Sequence, residues 1–518
     1  MVLHMRDNVH GLARRRSAGE VVIELLEGRR MLAAGAGSTA FALSFGREDQ
    51  RSDGNAVATD ADGNVYVTGT YGETANVSGN ARHPVMLRAV NKSNDIFVVK
   101  YSPAGKVIWA RSFGGGESDV GSVIKVQGSD VYVGGTYKAV ANFGGRKIAS
   151  EGARDVFVAK LSAASGAVRW VDHLGGGDDD YINAIEADAN NNVFISGTVR
   201  LAANIDPFGG KQVVKTRGVD DTFVEKLDAT TGKLVWSKLY GESDTIESAE
   251  SLVADGEGGV YVAGIFYRSV DFDREQPGFT LKSQGRRDIY FGHLGSDNQW
   301  QFLKDIGGGN RTTVGGIAAG PDGDLFMTGS FKDQVNFDPG RTNRSLNAIG
   351  KKDGFVARYT PSGGLVWVKQ FGGDGQALAR SIAVDAKGNV YATGDLLDEV
   401  SFNPRGKGGV LRTDKSGDAL QVVEGPGTPP FAELQSDPSD TYIAKLTASG
   451  RFVYAKKIGG RDGSTQGNSI ATGTGGGVYL TGAFFNRVTL STGTGRRVTA
   501  KTVEDSDQTN VFLTKING

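Results

Sequence analysis

The chain has no cysteine in 518 residues. That removes disulfides, thiol nucleophiles, zinc–thiolate centres and iron–sulfur clusters, but it leaves the compartment open, because exported proteins need not be cross-linked. No stretch reaches the roughly 18 uninterrupted apolar residues that a membrane-spanning helix needs. Histidine is scarce: only His4, His10, His83, His173 and His293 occur, and neither His-Glu-x-x-His nor Gly-x-Ser-x-Gly is present. A metalloprotease or a serine hydrolase is therefore disfavoured. Charge of one sign is missing too, with 58 Lys and Arg against 59 Asp and Glu, so no basic field exists to attract nucleic acid or acidic lipid.

Glycine is abundant, at 77 residues against 12 prolines, which suits many short strands joined by tight turns. One phrase recurs seven times, as Val65-Tyr-Val-Thr-Gly-Thr70 and from Val131, Val193, Val260, Leu325, Val390 and Val478. Its glycines, Gly69, Gly135, Gly197, Gly264, Gly329, Gly394 and Gly482, are 66, 62, 67, 65, 65 and 88 residues apart. Each phrase alternates as a strand does, and follows a small-residue segment and a Gly/Asn turn, as in Ser381-Ile-Ala-Val-Asp385 and Ala-Lys-Gly-Asn389. These segments are strands a and b of a repeated unit.

A second hairpin supplies strands c and d, as in Asp95-Ile-Phe-Val-Val-Lys100 followed by Val107-Ile-Trp-Ala-Arg-Ser-Phe-Gly114. The c strand recurs from Asp155, Asp221, Asp288, Asp353, Asp440 and Asn510. The d strand has only six aromatic anchors: Trp109, Trp170, Trp236, Phe302, Trp367 and Tyr454. The missing one is at the other end, where Phe41-Ala-Leu-Ser-Phe-Gly46 matches Trp109-Ala-Arg-Ser-Phe-Gly114. Lending an N-terminal strand to the last unit closes a ring and pairs its edge. The pattern predicts an all-β, seven-bladed β-propeller over residues 38–518, with four-stranded antiparallel blades; a linear β-array is the alternative.

The phrases Gly63 to Thr70, Asp155-Val-Phe-Val-Ala-Lys-Leu161 and Leu234-Val-Trp-Ser-Lys-Leu-Tyr-Gly241 resemble bacterial β-propeller repeats of the SBBP type. That resemblance implies exported or cell-surface proteins with no shared catalytic motif. Residues 1–37 differ from the rest, and Leu26-Glu-Gly-Arg-Arg-Met-Leu32 resembles the LEPR-XLL export signature of planctomycetes, with Gly28 in place of proline and one extra arginine. The resemblance implies export and an N-terminal segment that is disordered or removed. A short amphipathic helix or a basic tail is the other reading.

A residue type found in every blade cannot define one asymmetric site. The aromatic anchors and the c-strand series Lys100, Lys160, Lys226, His293, Arg358, Lys445 and Lys515 therefore read as packing or paired positions. The d-to-a loops are acidic, and Asp119, Asp178, Asp179, Asp180 and Asp244 are the candidate ligand or cation residues, with calcium as the one possible cofactor. Against this stands the need of Gly-Gly-x-Asp turns for side chains that satisfy their own amides. Asp60-Ala-Asp-Gly-Asn64 reads as a turn, because it lacks the later ligands of a calcium loop. Gly473-Thr-Gly-Gly-Gly477 reads as a hairpin, because no helix follows to cradle phosphate.

The b-to-c loops carry a Phe-Asp/Asn pattern, as in Val335-Asn-Phe-Asp-Pro-Gly340, and read as punctuated turns. The longest runs from Phe402 to Asp440, as either a binding loop or a disordered insertion. The leading expectation is a monomeric, non-catalytic interaction or structural module outside the cell, with a protein or polysaccharide partner. The alternative is a carbohydrate-active enzyme using paired carboxylates at the propeller mouth. A quinone-dependent dehydrogenase is a distant third, since nothing identifies a cofactor pocket.

Overall fold

The computed structural model describes residues 39–46, 51–80, 82–206, 212–243, 245–404, 406–413, 439–459, 463–491, 497–501 and 509–517. The export-like segment 1–37, the middle of the long loop after Phe402, and Asp244 lie outside the described residues. What is described is all-β, broken only by two 3₁₀ turns at Val90–Lys92 and Thr474–Gly476.

Four antiparallel strands form the repeating sheet. In the first unit Ser52–Thr59, Val65–Gly72, Asn94–Tyr101 and Val107–Gly115 pair in that order as a, b, c and d. The same order restarts at Val120, Tyr181, Glu247, Thr312 and Gln376. The last sheet contains Ser464–Thr472, Gly477–Phe485 and Asn510–Asn517, and its fourth strand is Thr39–Phe45, with Leu43 opposite Leu513 and Ala42 opposite Thr514.

Strand b is buried on both faces, fully so from Val65 to Gly72, because a neighbouring unit covers each side. This explains the glycine in the recurring phrase. A Cβ on Gly135 would overlap the Val120 carbonyl of strand a and stand 2.7 Å from Cε1 of Phe157 on strand c. The aromatic ring occupies the space a side chain would need. Each a strand carries a β-bulge opposite this position, at Asn55, Ser122, Asn183, Glu250, Gly315, Arg380 and Asn468.

Consecutive units are joined by repeated polar bonds. The amide that opens strand a donates to the carbonyl just before strand c of the preceding unit: Asp119 to Asn94 at 2.8 Å, Asp180 to Arg154 at 2.7 Å, Thr312 to Arg287 at 2.9 Å and Thr465 to Ser439 at 2.9 Å. The same bond runs from Ser52 to Thr509, at 2.8 Å, between the first unit and the last. On the outside, Lys160 Nζ and Trp170 Nε1 both donate to the Ala229 carbonyl of the next unit, at 2.7 and 3.1 Å. Lys100 and Trp109 hold the Ala163 carbonyl in the same way, at 3.0 and 3.1 Å. Lys515 donates to the equivalent Pro103 carbonyl of the first unit, at 3.1 Å.

The b-to-c connections are built hairpins, not simple turns. Gln334–Asn336 pairs with Ser345–Asn347, and Ser269–Asp271 pairs with Thr280–Lys282. Several reach back over the d strand of the preceding unit, placing Gly114 opposite Asn142, Gly175 opposite Asn204 and Gly307 opposite Asn336. Four straps tuck an aromatic ring against the c-strand ring, Phe143 on Phe157, Phe272 on Tyr290, Phe337 on Phe355 and Phe402 on Tyr442, with centroids 4.7, 4.6, 4.9 and 4.7 Å apart, while Ile205 and Val77 are the buried residues in two others. The Pro and Gly that mark these stretches in sequence sit at the hairpin tips, so alternation on either side is too short to read as strand.

Candidate functional site

Strand polarity puts the straps and the d-to-a turns at one end of the molecule and the a-to-b and c-to-d turns at the other. At the strap end every d strand finishes in glycine because the acid or amide that opens strand c lies under it. A Cβ on Gly114 would meet Asp95 Cγ at 2.8 Å and Asp119 Oδ2 at 2.7 Å, and one on Gly175 would meet Asp155 Oδ1 at 2.7 Å. Asp95, Asp155, Asp221, Asp288, Asp353, Asp440 and Asn510 are all buried there.

The sequence candidates divide on this frame. Asp119 is wholly buried; its Oδ2 accepts the Gly115 amide at 2.7 Å and its Oδ1 the Lys138 amide at 3.1 Å. Asp180 repeats the arrangement one unit on, with the Gly176 and Arg200 amides each at 2.8 Å. Burial pushes both carboxyls up to about 7, against the pull of those amides, and Asp95 and Asp155 nearby push in the same direction. Asp178 and Asp179 are partly exposed in the same turn as Asp180, while Asp119 stands in a different corner. Asp244 lies outside the described residues.

A third corner departs from the other two. Glu247 occupies the position of Asp119 and Asp180, and among the described residues neither of its carboxylate oxygens meets a donor of adequate geometry. Burial, with help from Asp221, raises it to about 8. Arg274 Nη2 neutralises Asp221 at 2.5 Å, and Arg217 pairs with Glu242 at 2.6 Å. Among the described residues no three His, Asp or Glu side chains are grouped closely enough to hold a metal ion.

At the opposite end Asp60 Oδ1 accepts the amides of Asp62 and Asn64, at 3.0 and 2.8 Å, which is a self-capped turn. The c-strand basic residues meet such turn acids: Lys160 pairs with Asp130 at 2.8 Å and Arg358 with Asp324 at 2.6 Å, and His293 Nε2 hydrogen-bonds Asp255 at 2.8 Å. They also lie over b-strand rings, as Lys100 does over Tyr66 at 4.9 Å. This repeated chemistry is spent within each unit.

Exposed large apolar side chains are distributed unevenly. Met86, Val90, Val140, Leu201, Val213, Val219, Ile246, Ile349 and Val410 belong to straps or to d-to-a turns, so they cluster by topology at the strap end. Ile108, Val235, Val366 and Val453, near the starts of d strands, make up the remainder. Sequence reasoning overlooked these strap residues, because a lone Val or Leu beside charged neighbours carries no signal until the strap is folded.

A family model described as the SBBP beta-propeller repeat matches residues 366–395, which span the d strand of the fifth unit and strands a and b of the sixth. No curated protein matches the chain. Among solved structures, BamB from Moraxella catarrhalis is similar at 12% identity and a TM-score of 0.37, over 93% of this chain and 99% of that one. Quinohemoprotein alcohol dehydrogenase from Comamonas testosteroni gives 10% identity and a TM-score of 0.41, over 93% and 76%. The β-propeller domain of the Trilobed protease from Pyrococcus furiosus gives 10% and 0.37, over 89% and 98%. The chain thus carries a β-propeller repeat in an all-β fold.

Proposed function

We propose that the chain is a seven-bladed β-propeller closed by its own strand Thr39–Phe45, and that it works outside the cell as a monomeric, non-catalytic interaction module. Closure is supported by the Ser52–Thr509 and Lys515–Pro103 bonds, which repeat between the last and first units the contacts made at other seams. Export is supported by the likeness of Leu26 to Leu32 to an export signature. The observation that carries the interaction reading is the strap end, where apolar side chains from five or more units are exposed beside the unburied acids Glu117, Asp178, Asp179 and Asp374. An apolar face rimmed by carboxylates suits a protein or a hydroxylated polymer. Calcium at Asp178 and Asp179 is compatible with it, since those two alone among the described candidates are open to solvent.

Carbohydrate cleavage is the weaker reading. It needs two carboxyl groups open to substrate, and the two sequence candidates raised to near neutrality, Asp119 and Asp180, are shut in and hydrogen-bonded to amides. The test is a glycan array and calorimetry on the full chain, with and without chelator, against Val140→Asp/Leu201→Asp and Ile108→Asp/Val366→Asp. Binding lost only in the first pair supports the strap-end face. Binding lost only in the second, or turnover of a glycan, overturns it.

A further inference from the structure

Two units depart from the rest in how the strap meets strand c. In the second and third units the returning half of the strap and strand c are one unbroken strand, Arg146–Ser162 and Val213–Asp228. The returning strands of the other straps are three to five residues long and end before strand c begins. Strand d does not keep pace with the longer strand. In the third unit its ladder with strand c ends where Tyr240 stands opposite Thr222, and the chain then turns away into the next unit. Strand c runs on to Val213. One edge of that extension pairs with Ala202, Ala203 and Asn204. On the other edge the d-to-a turn covers Gly218, whose Cβ would stand 2.7 Å from the Glu242 carbonyl oxygen. Beyond that point, from Val213 to Thr216, this edge has no ladder among the described residues.

The side chains along this extension alternate. Val213, Lys215, Arg217 and Val219 are exposed, the two valines at 48% and 58%, and they share one face because successive residues of a strand point to opposite sides. Lys215 stands opposite Ala202 and has no anionic partner among the described residues. Arg217 meets Glu242 in a contact open to solvent. The equivalent cation of the sixth unit, Arg412, is answered within its own strap by Glu399 opposite it. The extension of the second unit turns Lys147, Ala149 and Glu151 outward, so that its charges cancel and no branched apolar side chain accompanies them. Among the described units the third alone joins an open backbone edge to two exposed valines and an unanswered ammonium. Charge on an exposed edge repels strands of like sign and selects one of opposite sign.

We propose that this edge is a docking site for an extended, acidic segment of a partner protein, which adds as a strand beside residues 213–216 with a carboxylate facing Lys215 and apolar side chains against Val213 and Val219. Main-chain bonds to the open edge supply affinity, and the alternating side chains supply selectivity. A polysaccharide offers no row of amides and carbonyls to such an edge, which favours a polypeptide. The assignment rests on the strap end as the interaction face and narrows it to one strap and one kind of partner.

The test is fluorescence anisotropy of a labelled peptide of alternating glutamate and valine titrated with the full chain, beside a lysine–valine peptide and a fully N-methylated glutamate–valine peptide that cannot donate to a strand edge. The wild type binds the acidic peptide about tenfold more tightly than either control. Lys215→Glu reverses the preference in favour of the lysine peptide, and Val213→Asp, the second variant, weakens the acidic peptide without reversing it. An acidic preference that survives Lys215→Glu, equal binding of the N-methylated peptide, or equal displacement by a polyuronate overturns the assignment. So does a concentration-dependent dimer in sedimentation that Lys215→Glu abolishes, since a second copy would then fill the edge. Binding on the glycan array that is lost in Val140→Asp/Leu201→Asp, with no acidic peptide bound by the wild type, removes this assignment and leaves the strap-end reading standing.

Discussion

Replacing both donors to the Ala229 carbonyl should cost more than the sum of the single replacements. The carbonyl belongs to a residue 2% exposed and is held by Lys160 and Trp170 of the preceding unit. Lys160→Met removes a charge-assisted bond and the pair with Asp130, but Asp130 keeps Arg169 at 2.6 Å and the carbonyl keeps the indole. A fully broken buried pair costs about 3–5 kcal/mol, so with partners retained about 2 kcal/mol is expected. Trp170→Phe preserves most of the apolar contact and forfeits one neutral hydrogen bond, about 1 kcal/mol. The double variant leaves a buried carbonyl with no donor, adding a penalty of about 1–2 kcal/mol. Urea unfolding followed by far-ultraviolet circular dichroism measures all three. Additivity within about 0.4 kcal/mol would refute the shared-acceptor latch.

Three further outcomes follow from the same geometry. Gly135→Ala should cost more than about 3 kcal/mol, because its Cβ enters the Val120 carbonyl and the Phe157 ring, while Gly128→Ala, at φ +56 with nothing within 4 Å, should cost about 1 kcal/mol of backbone strain; equal urea midpoints would contradict the packing. Phe337→Ala, 1% exposed and packed edge-on against Phe355, should cost about 3–4 kcal/mol by the same assay, whereas Ile349→Asp at the exposed end should stay within about 0.5 kcal/mol. Asp119 and Asp180 ionise near 7 in the fold and near 3.9 unfolded. Their burden on stability is absent below pH 4, grows as pH rises, and is complete above 7. Their share of stability therefore declines between about pH 4 and 7 and is flat above that, and a wild-type slope unchanged in Asp119→Asn/Asp180→Asn would refute it.

The strand order was legible because its signals are local. The b phrase and the c phrase alternate over six or more residues, and the likeness of Phe41–Gly46 to Trp109–Gly114 pointed to the pairing now seen between Thr39–Phe45 and Asn510–Asn517. The straps escaped because their strands are three residues long and their ring partners, such as Phe337 and Phe355, are brought together only by the sheet. The acidic loops looked alike in sequence, yet Asp119 and Asp180 face inward to amides while Asp178 and Asp179 face outward. Alternating exposure in a turn depends on backbone direction, which composition does not encode.

Ring closure by the N-terminal strand is the claim on which the architecture rests, and amide hydrogen exchange resolved by peptide tests it most directly. The account predicts that amides of residues 39–45 and 510–517 exchange slowly and together, and that removing residues 1–46 makes the second segment exchange fast. Rapid exchange across 39–45 in the intact chain, with 510–517 still protected, would contradict it.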